Sequence, residues 1–163
     1  MIIFGIDPGS RVTGYGIVAC EGARVGHVDN GVIVPSASLS SAVKLHFIHS
    51  ELIKILSHFK PDVVAVEEVF VANNPRSALV LGQARGVALA AAAACGIPVV
   101  EYSTRLVKQS LVGYGNASKE QIQSMVKRLL KLPQVAASDA SDALAVAITH
   151  AHSHRLQIRT NLL

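Results

Sequence analysis

The sequence predicts an α/β layer fold on a mixed five-stranded sheet, an antiparallel three-strand meander plus two parallel strands flanked by helices. Three observations carry this expectation. The apolar run Ile2-Ile3-Phe4-Gly5-Ile6 ends on Asp7 and is broken at once by Pro8-Gly9, as a strand ending in a turn would be. The connections to the next two segments are too short for crossovers, so those strands run antiparallel. Val63-Val64-Ala65-Val66, set between helical segments, is a continuous apolar run of the kind found in strands buried on both faces.

The elements follow in order. Gly14 to Glu21 reads as the second strand and Arg24 to Val34 as the third. A serine-rich turn then opens a helix from Ser40 to Phe59, with Leu45, Ile48, Leu52, Leu56 and Phe59 at helical spacing. The fourth strand ends in Glu67-Glu68, and Pro75 suits the first turn of a helix reaching Ala94. Gly96-Ile97-Pro98 stops that helix, and a fifth strand runs to Tyr102 before a helix from Thr104 to Val112. Ser118 and Gln121 form a capping-box pattern for the next helix. The last helix is expected from Ser138-Asp139 to His154. One domain spans 1–156, and the tail 157–163 is expected to fray.

With 163 residues, half of them hydrophobic, the chain can bury one sizeable core. Its net charge of +4 is compatible with a polyanionic partner and with an ordinary enzyme alike. Cys20 and Cys95 are too far apart in sequence to suggest a disulfide framework or a zinc site. Asp7 interrupts the N-terminal apolar run too early for a signal peptide. Gln83 and Arg85 argue against a membrane span in the most apolar helix. A cytoplasmic location is expected. His150, His152 and His154 are spaced so that they scatter around a helix, and the helix-end carbonyls are their expected partners.

The acidic residues suggest chemistry. If strand four runs parallel to strand one, Asp7 and Glu67 reach the same sheet edge. Neighbouring strand side chains face opposite ways, so only one of Glu67 and Glu68 can point at that edge, and Glu67 is assigned to it. Asp139 and Asp142 share a helical face, although first-turn acids also serve as caps and favour the helix dipole. Four converging carboxylates repel one another unless cations neutralise them. Mg2+ or Mn2+ suits such oxygen donors, and two ions about 4 Å apart can serve phosphodiester chemistry.

Further segments make the sequence recognisable. Gly5-Ile6-Asp7-Pro8-Gly9-Ser10-Arg11-Val12-Thr13-Gly14-Tyr15-Gly16, Val66-Glu67-Glu68-Val69-Phe70, Ser77-Ala78-Leu79, Leu81-Gly82-Gln83-Ala84-Arg85-Gly86-Val87-Ala88, Val107-Lys108-Gln109 and Asp139-Ala140-Ser141-Asp142-Ala143-Leu144-Ala145 occur in this order. Together they resemble the RuvC family of crossover junction endodeoxyribonucleases, Holliday junction resolvases among the ribonuclease H-like nucleases. The resemblance covers nearly everything from Ile2 to His152. It implies a ribonuclease H-like fold over 1–156 and a catalytic, metal-binding set of Asp7, Glu67, Asp139 and Asp142. Mg2+, two ions per site with Mn2+ able to substitute, is the implied cofactor.

The resemblance also places Lys108 and Lys119 near the cleaved strand and Phe70 against an unpaired base. Arg11 and Arg76 could hold phosphates further out. Arg105, Lys127 and Arg128 could do so too, but read more simply as solvated charges. The implied partners are four-way junction DNA, a second copy of the chain, and the RuvA–RuvB branch-migration complex. The helix from Pro75 to Ala94 is apolar nearly all round, which suits the centre of a homodimer. A two-domain kinase-type phosphotransferase would need a longer chain, and a pure junction binder would have no use for four acids.

Overall fold

The computed structural model describes residues 1–22, 24–68 and 74–160, with side chains to residue 156. Its strands are β1 (Ile2–Asp7), β2 (Thr13–Glu21), β3 (Arg24–Ile33), β4 (Val63–Glu67) and β5 (Val99–Tyr102). Its helices are α1 (Ser41–Phe59), α2 (Pro75–Ala94), α3 (Thr104–Val112), α4 (Lys119–Leu130) and α5 (Ser138–Thr160). They form one mixed sheet in the order β3-β2-β1-β4-β5, with β1 antiparallel to β2 and parallel to β4. β4 and β5 are also parallel. Ile6 pairs with Val66, so the next residue on each strand, Asp7 and Glu67, leaves the sheet at the same edge.

Alternating side chains divide the core between the two faces, as the twofold period of a strand requires. Phe4, Ile6, Ile17, Val64 and Val66 pack with Ile48, Leu52 and Leu56 of α1 and with the alanines of α2. Ile3, Val18, Val63 and Ala65 pack on the other face with α3, α4 and α5. Each large aliphatic side chain buried this way contributes about 1.5–3 kcal/mol. The helix starts follow their caps: Ser103 accepts from the Leu106 amide, and Ser118 with Gln121 completes the capping box of α4.

α5 lies across β1 and β2 at a distance that only glycine permits. A Cβ at Gly5 would overlap the Ala143 carbonyl oxygen, and one at Gly14 would overlap that of Asp139. Gly14 is the antiparallel partner of Asp7. The close approach therefore sets the first turn of α5 beside the tip of β1.

The last helix differs from expectation. It runs to Thr160, past His154 and past the boundary at 156, because nothing between Ser138 and Thr160 is a glycine or proline that would stop it. The backbone of residues 157–160 continues this helix, and 161–163 lie outside the described residues. The histidines consequently sit within the helix, where the carbonyls are already used. The His150 Nδ1 lies 2.7 Å from the Tyr102 hydroxyl, and the His152 Nδ1 lies 3.1 Å from Ser110 Oγ.

By length and composition α2 could cross a membrane. In the fold, however, Ala84, Ala88, Ala91 and Ala92 are buried, the last three in the core with α1 and the sheet, and Arg85 is ion-paired with Glu101.

Candidate active site

The edge where β1 and β4 end is shaped first by backbone geometry. Thr13 is fully buried, and its hydroxyl donates to the Gly9 carbonyl at 2.7 Å. The Gly9 amide approaches the same oxygen at 3.3 Å, so one side chain ties both ends of the turn after Asp7. At β4 the Glu68 amide donates to the Tyr102 carbonyl at 2.8 Å, which holds the strand end in register with β5. Glu68 is exposed, whereas Glu67 is half-buried and faces a cleft of about 250 Å³.

That cleft is lined by Glu67, Thr104, Lys108, Lys119 and Asp142. A wider groove of about 640 Å³ lies on the Asp139 side, lined by Ser10, Arg11, Arg76 and Ser77 among others. The acidic edge therefore has lysines in one flanking cleft and arginines in the other. Asp7 lies at the end of β1, paired with the Gly14 that α5 covers at Asp139.

The charges are closely coupled. Burial, followed by the fields of Asp142, Asp139 and Glu67, pushes the Asp7 carboxyl up to about 7, with Lys119 acting in the opposite direction. Burial also raises the Glu67 carboxyl, and the Asp142 charge adds to this. A hydrogen bond from Thr104 and the charges of Lys108 and Lys119 oppose that rise. Lys119 Nζ stands 2.8 Å from Asp142 Oδ2, and this hydrogen bond chiefly holds its ammonium above the ordinary lysine range. Among the described residues, no three acid, histidine or cysteine side chains are placed closely enough to hold one ion as they stand. The donor set nevertheless fits a hard divalent cation: hard oxygen donors whose charges repel one another, opposed in part by nearby lysines.

Of the residues singled out in the sequence, Glu67, Asp142, Lys108 and Lys119 meet in one cleft, and Arg11, Arg76 and Asp139 line the other. Asp7 is coupled to all three other acids. Lys127 and Arg128 are more than two turns along α4 from Lys119, and Arg128 lines a separate cleft with Tyr114 and Glu120. Phe70 lies outside the described residues. Sequence reasoning missed Thr104, Thr13 and the docking role of Gly5 and Gly14. Glycines inside strands were the available signal for that close approach.

The family described as crossover junction endodeoxyribonuclease RuvC matches residues 3–150. A Geobacter sulfurreducens protein of that name is 54% identical over 153 residues, covering 94% of this chain and 93% of its own. One from Citrifermentans bemidjiense is 56% identical over 153 residues, with the same shares covered. Among solved structures, Thermus thermophilus RuvC in complex with Holliday junction substrate superposes with a TM-score of 0.91 at 37% identity, covering 96% of each chain. The yeast mitochondrial Holliday junction resolvase Ydc2 shares the fold, at a TM-score of 0.70 and 16% identity over 98% of this chain and 82% of its own. With a family match spanning residues 3–150 and relatives of that name more than half identical over most of its length, this chain belongs to the RuvC family of crossover junction endodeoxyribonucleases.

Proposed function

We propose that this protein resolves four-way DNA junctions by symmetric, divalent-metal-dependent hydrolysis of two phosphodiester bonds, leaving 5′-phosphate and 3′-hydroxyl ends in recombination and repair. The observation that carries this reading is the electrostatic coupling of Asp7 to Glu67, Asp139 and Asp142 at one sheet edge of a RuvC-family chain. Asp7, Glu67, Asp139 and Asp142 would hold Mg2+, two ions per site, with Mn2+ able to take its place. Such ions neutralise charge on the phosphate and lower the pKa of water.

The chain's own side chains do the rest. Lys108 and Lys119 bring positive charge to the cleft, and the hydrogen bond to Asp142 holds the Lys119 ammonium above the ordinary lysine range. Arg11 and Arg76 line the second groove, where the duplex arm would place further phosphates. Phe70 would stack on an unpaired base at the crossover, worth about 1–3 kcal/mol.

The working unit is a homodimer formed about α2. Leu79, Gly82, Gln83, Gly86, Ala90 and Ala93 are exposed and recur along one stripe of that helix, opposite the buried alanines. A Cβ at Gly82 or Gly86 would meet nothing within 4 Å, so a second backbone could approach closely there. Two equivalent strands of a junction then meet two equivalent sites. The RuvA–RuvB complex is the partner that family membership suggests, and the cytoplasm the compartment.

The test is a labelled four-way junction incubated with the protein in Mg2+, with EDTA as control. Paired nicks at symmetric positions, ligatable without end repair, are expected in Mg2+ alone. Retention of the junction without nicks would replace this reading with that of a binding module.

A further inference from the structure

A hydroxyl in the acidic cleft has no part in the scheme above. Thr104 is the first residue of α3, two positions after Tyr102, the β5 residue that pairs with Glu67. This short step from strand to helix sets Thr104 directly beside the end of β4. Its hydroxyl is not the helix cap: that role falls to Ser103, whose side chain accepts the Leu106 amide at 3.3 Å. Thr104 is left to face Glu67 in the cleft both line with Lys108, Lys119 and Asp142, where its hydroxyl opposes the rise of the Glu67 carboxyl. Lys108 follows one turn along α3, on the same face. α3 therefore presents to one carboxylate a hydroxyl, a cation and the positive end of its dipole.

We infer that Thr104 is a positioning residue, donating its hydroxyl hydrogen to one Glu67 oxygen and so fixing which oxygen Glu67 offers to a divalent cation. A carboxylate held at one oxygen loses rotational freedom and presents the other in a fixed direction. Groups of this kind, which touch a ligand rather than the ion, commonly change metal affinity by roughly 10- to 100-fold when removed. The inference rests on the functional reading above, because it needs Glu67 to be a metal ligand. It assigns Thr104 no contact with DNA.

The experiment compares wild type with Thr104→Val and Thr104→Ser. Thr104 is exposed, so the isosteric valine leaves the core untouched. The first readout is the Mg2+ concentration that gives half the maximal rise in Tm, measured without DNA. The second is junction cleavage against Mg2+, and the third is junction affinity in EDTA. The valine variant is expected to need roughly tenfold more Mg2+ in both titrations, to match wild type in EDTA binding, and to unfold cooperatively with a metal-free Tm only a few degrees below wild type. The serine variant, which keeps the hydroxyl, should stay within about twofold of wild type. A valine variant with the wild-type Mg2+ midpoint overturns the inference, and so does a serine variant as impaired as valine. Wild-type protein whose Tm does not respond to Mg2+ would instead strike the functional reading, whatever the variants did.

Discussion

Asp7→Asn should stabilise the metal-free protein while abolishing cleavage. In the folded chain the Asp7 carboxyl is raised from 3.8 to about 7, with burial the first cause and the neighbouring acids next. A raised carboxyl contributes stability that is complete below its unfolded pKa and is lost as pH rises through the folded value. Here that window runs from pH 3.8 to about 7. At about 1.4 kcal/mol per pH unit, the full loss is slightly above 4 kcal/mol by pH 8. Asparagine carries no charge and avoids it. Since the remaining acids also relax when Asp7 is neutral, roughly 2–4 kcal/mol should reach the measured stability. For a chain of this length that is a rise in Tm of roughly 5–10 °C.

The assay is thermal or urea unfolding of wild type and Asp7→Asn in EDTA at pH 8 and pH 5. The advantage of the variant should shrink by roughly half or more between the two, because the wild-type carboxyl is then largely protonated in the folded state. In excess Mg2+ the order should narrow or reverse, since only wild type keeps the full set of oxygen donors and a ligand stabilises the state it binds. An asparagine variant less stable than wild type at pH 8 in EDTA would refute this reasoning. So would an advantage that is independent of pH.

Glu67→Gln should nearly abolish cleavage with junction binding intact, whereas Glu68→Gln, on an exposed side chain, should cut at close to the wild-type rate; gel assays of both variants decide between the neighbours. Lys108→Ala and Lys119→Ala should slow cleavage, and each should reduce the slope of log affinity against log salt by about one if it contacts a phosphate. Leu79→Asp places a charge on the exposed stripe of α2 and should give a folded monomer by sedimentation, with nicking that is single or absent instead of paired.

Much of the fold could be read because each element announces itself locally. Val63 to Val66 is apolar at every position, as suits a strand with helices on both faces, and the meander follows from connections too short to cross over. The convergence of Asp7 and Glu67 needed only parallel pairing and strand parity. Other features depend on what the chain meets after folding. His150 and His152 are partnered by Tyr102 and Ser110, more than forty residues away in each case. No spacing rule contains those pairs. α5 outlasts its expected end because the rule for stopping a helix needs a breaker, and this sequence supplies none before Thr160. Thr104 read only as a helix start, because its meaning lies in the strand beside it.

Asp139 and Asp142 show how the ambiguity of a motif is resolved by its surroundings. On the sequence alone, acids at the start of a helix are adequately explained by capping and the dipole. Capping would make Asp139 useful wherever α5 began. It would not require the helix to start against Gly14, where any larger residue would overlap the Asp139 carbonyl, nor would it account for Asp142 pairing with Lys119 across the cleft. The glycines at 5 and 14 weaken their strands, since they pack no side chain and raise the entropy lost on folding. They bring α5 near enough for its two acids to act on Asp7, which further opposes folding through the raised carboxyl. The close packing of α5 on the sheet offsets the first loss, but the gathered acids bring no structural benefit of their own. They are consistent with a site in which a cation, rather than the fold itself, neutralises the charge the chain has gathered.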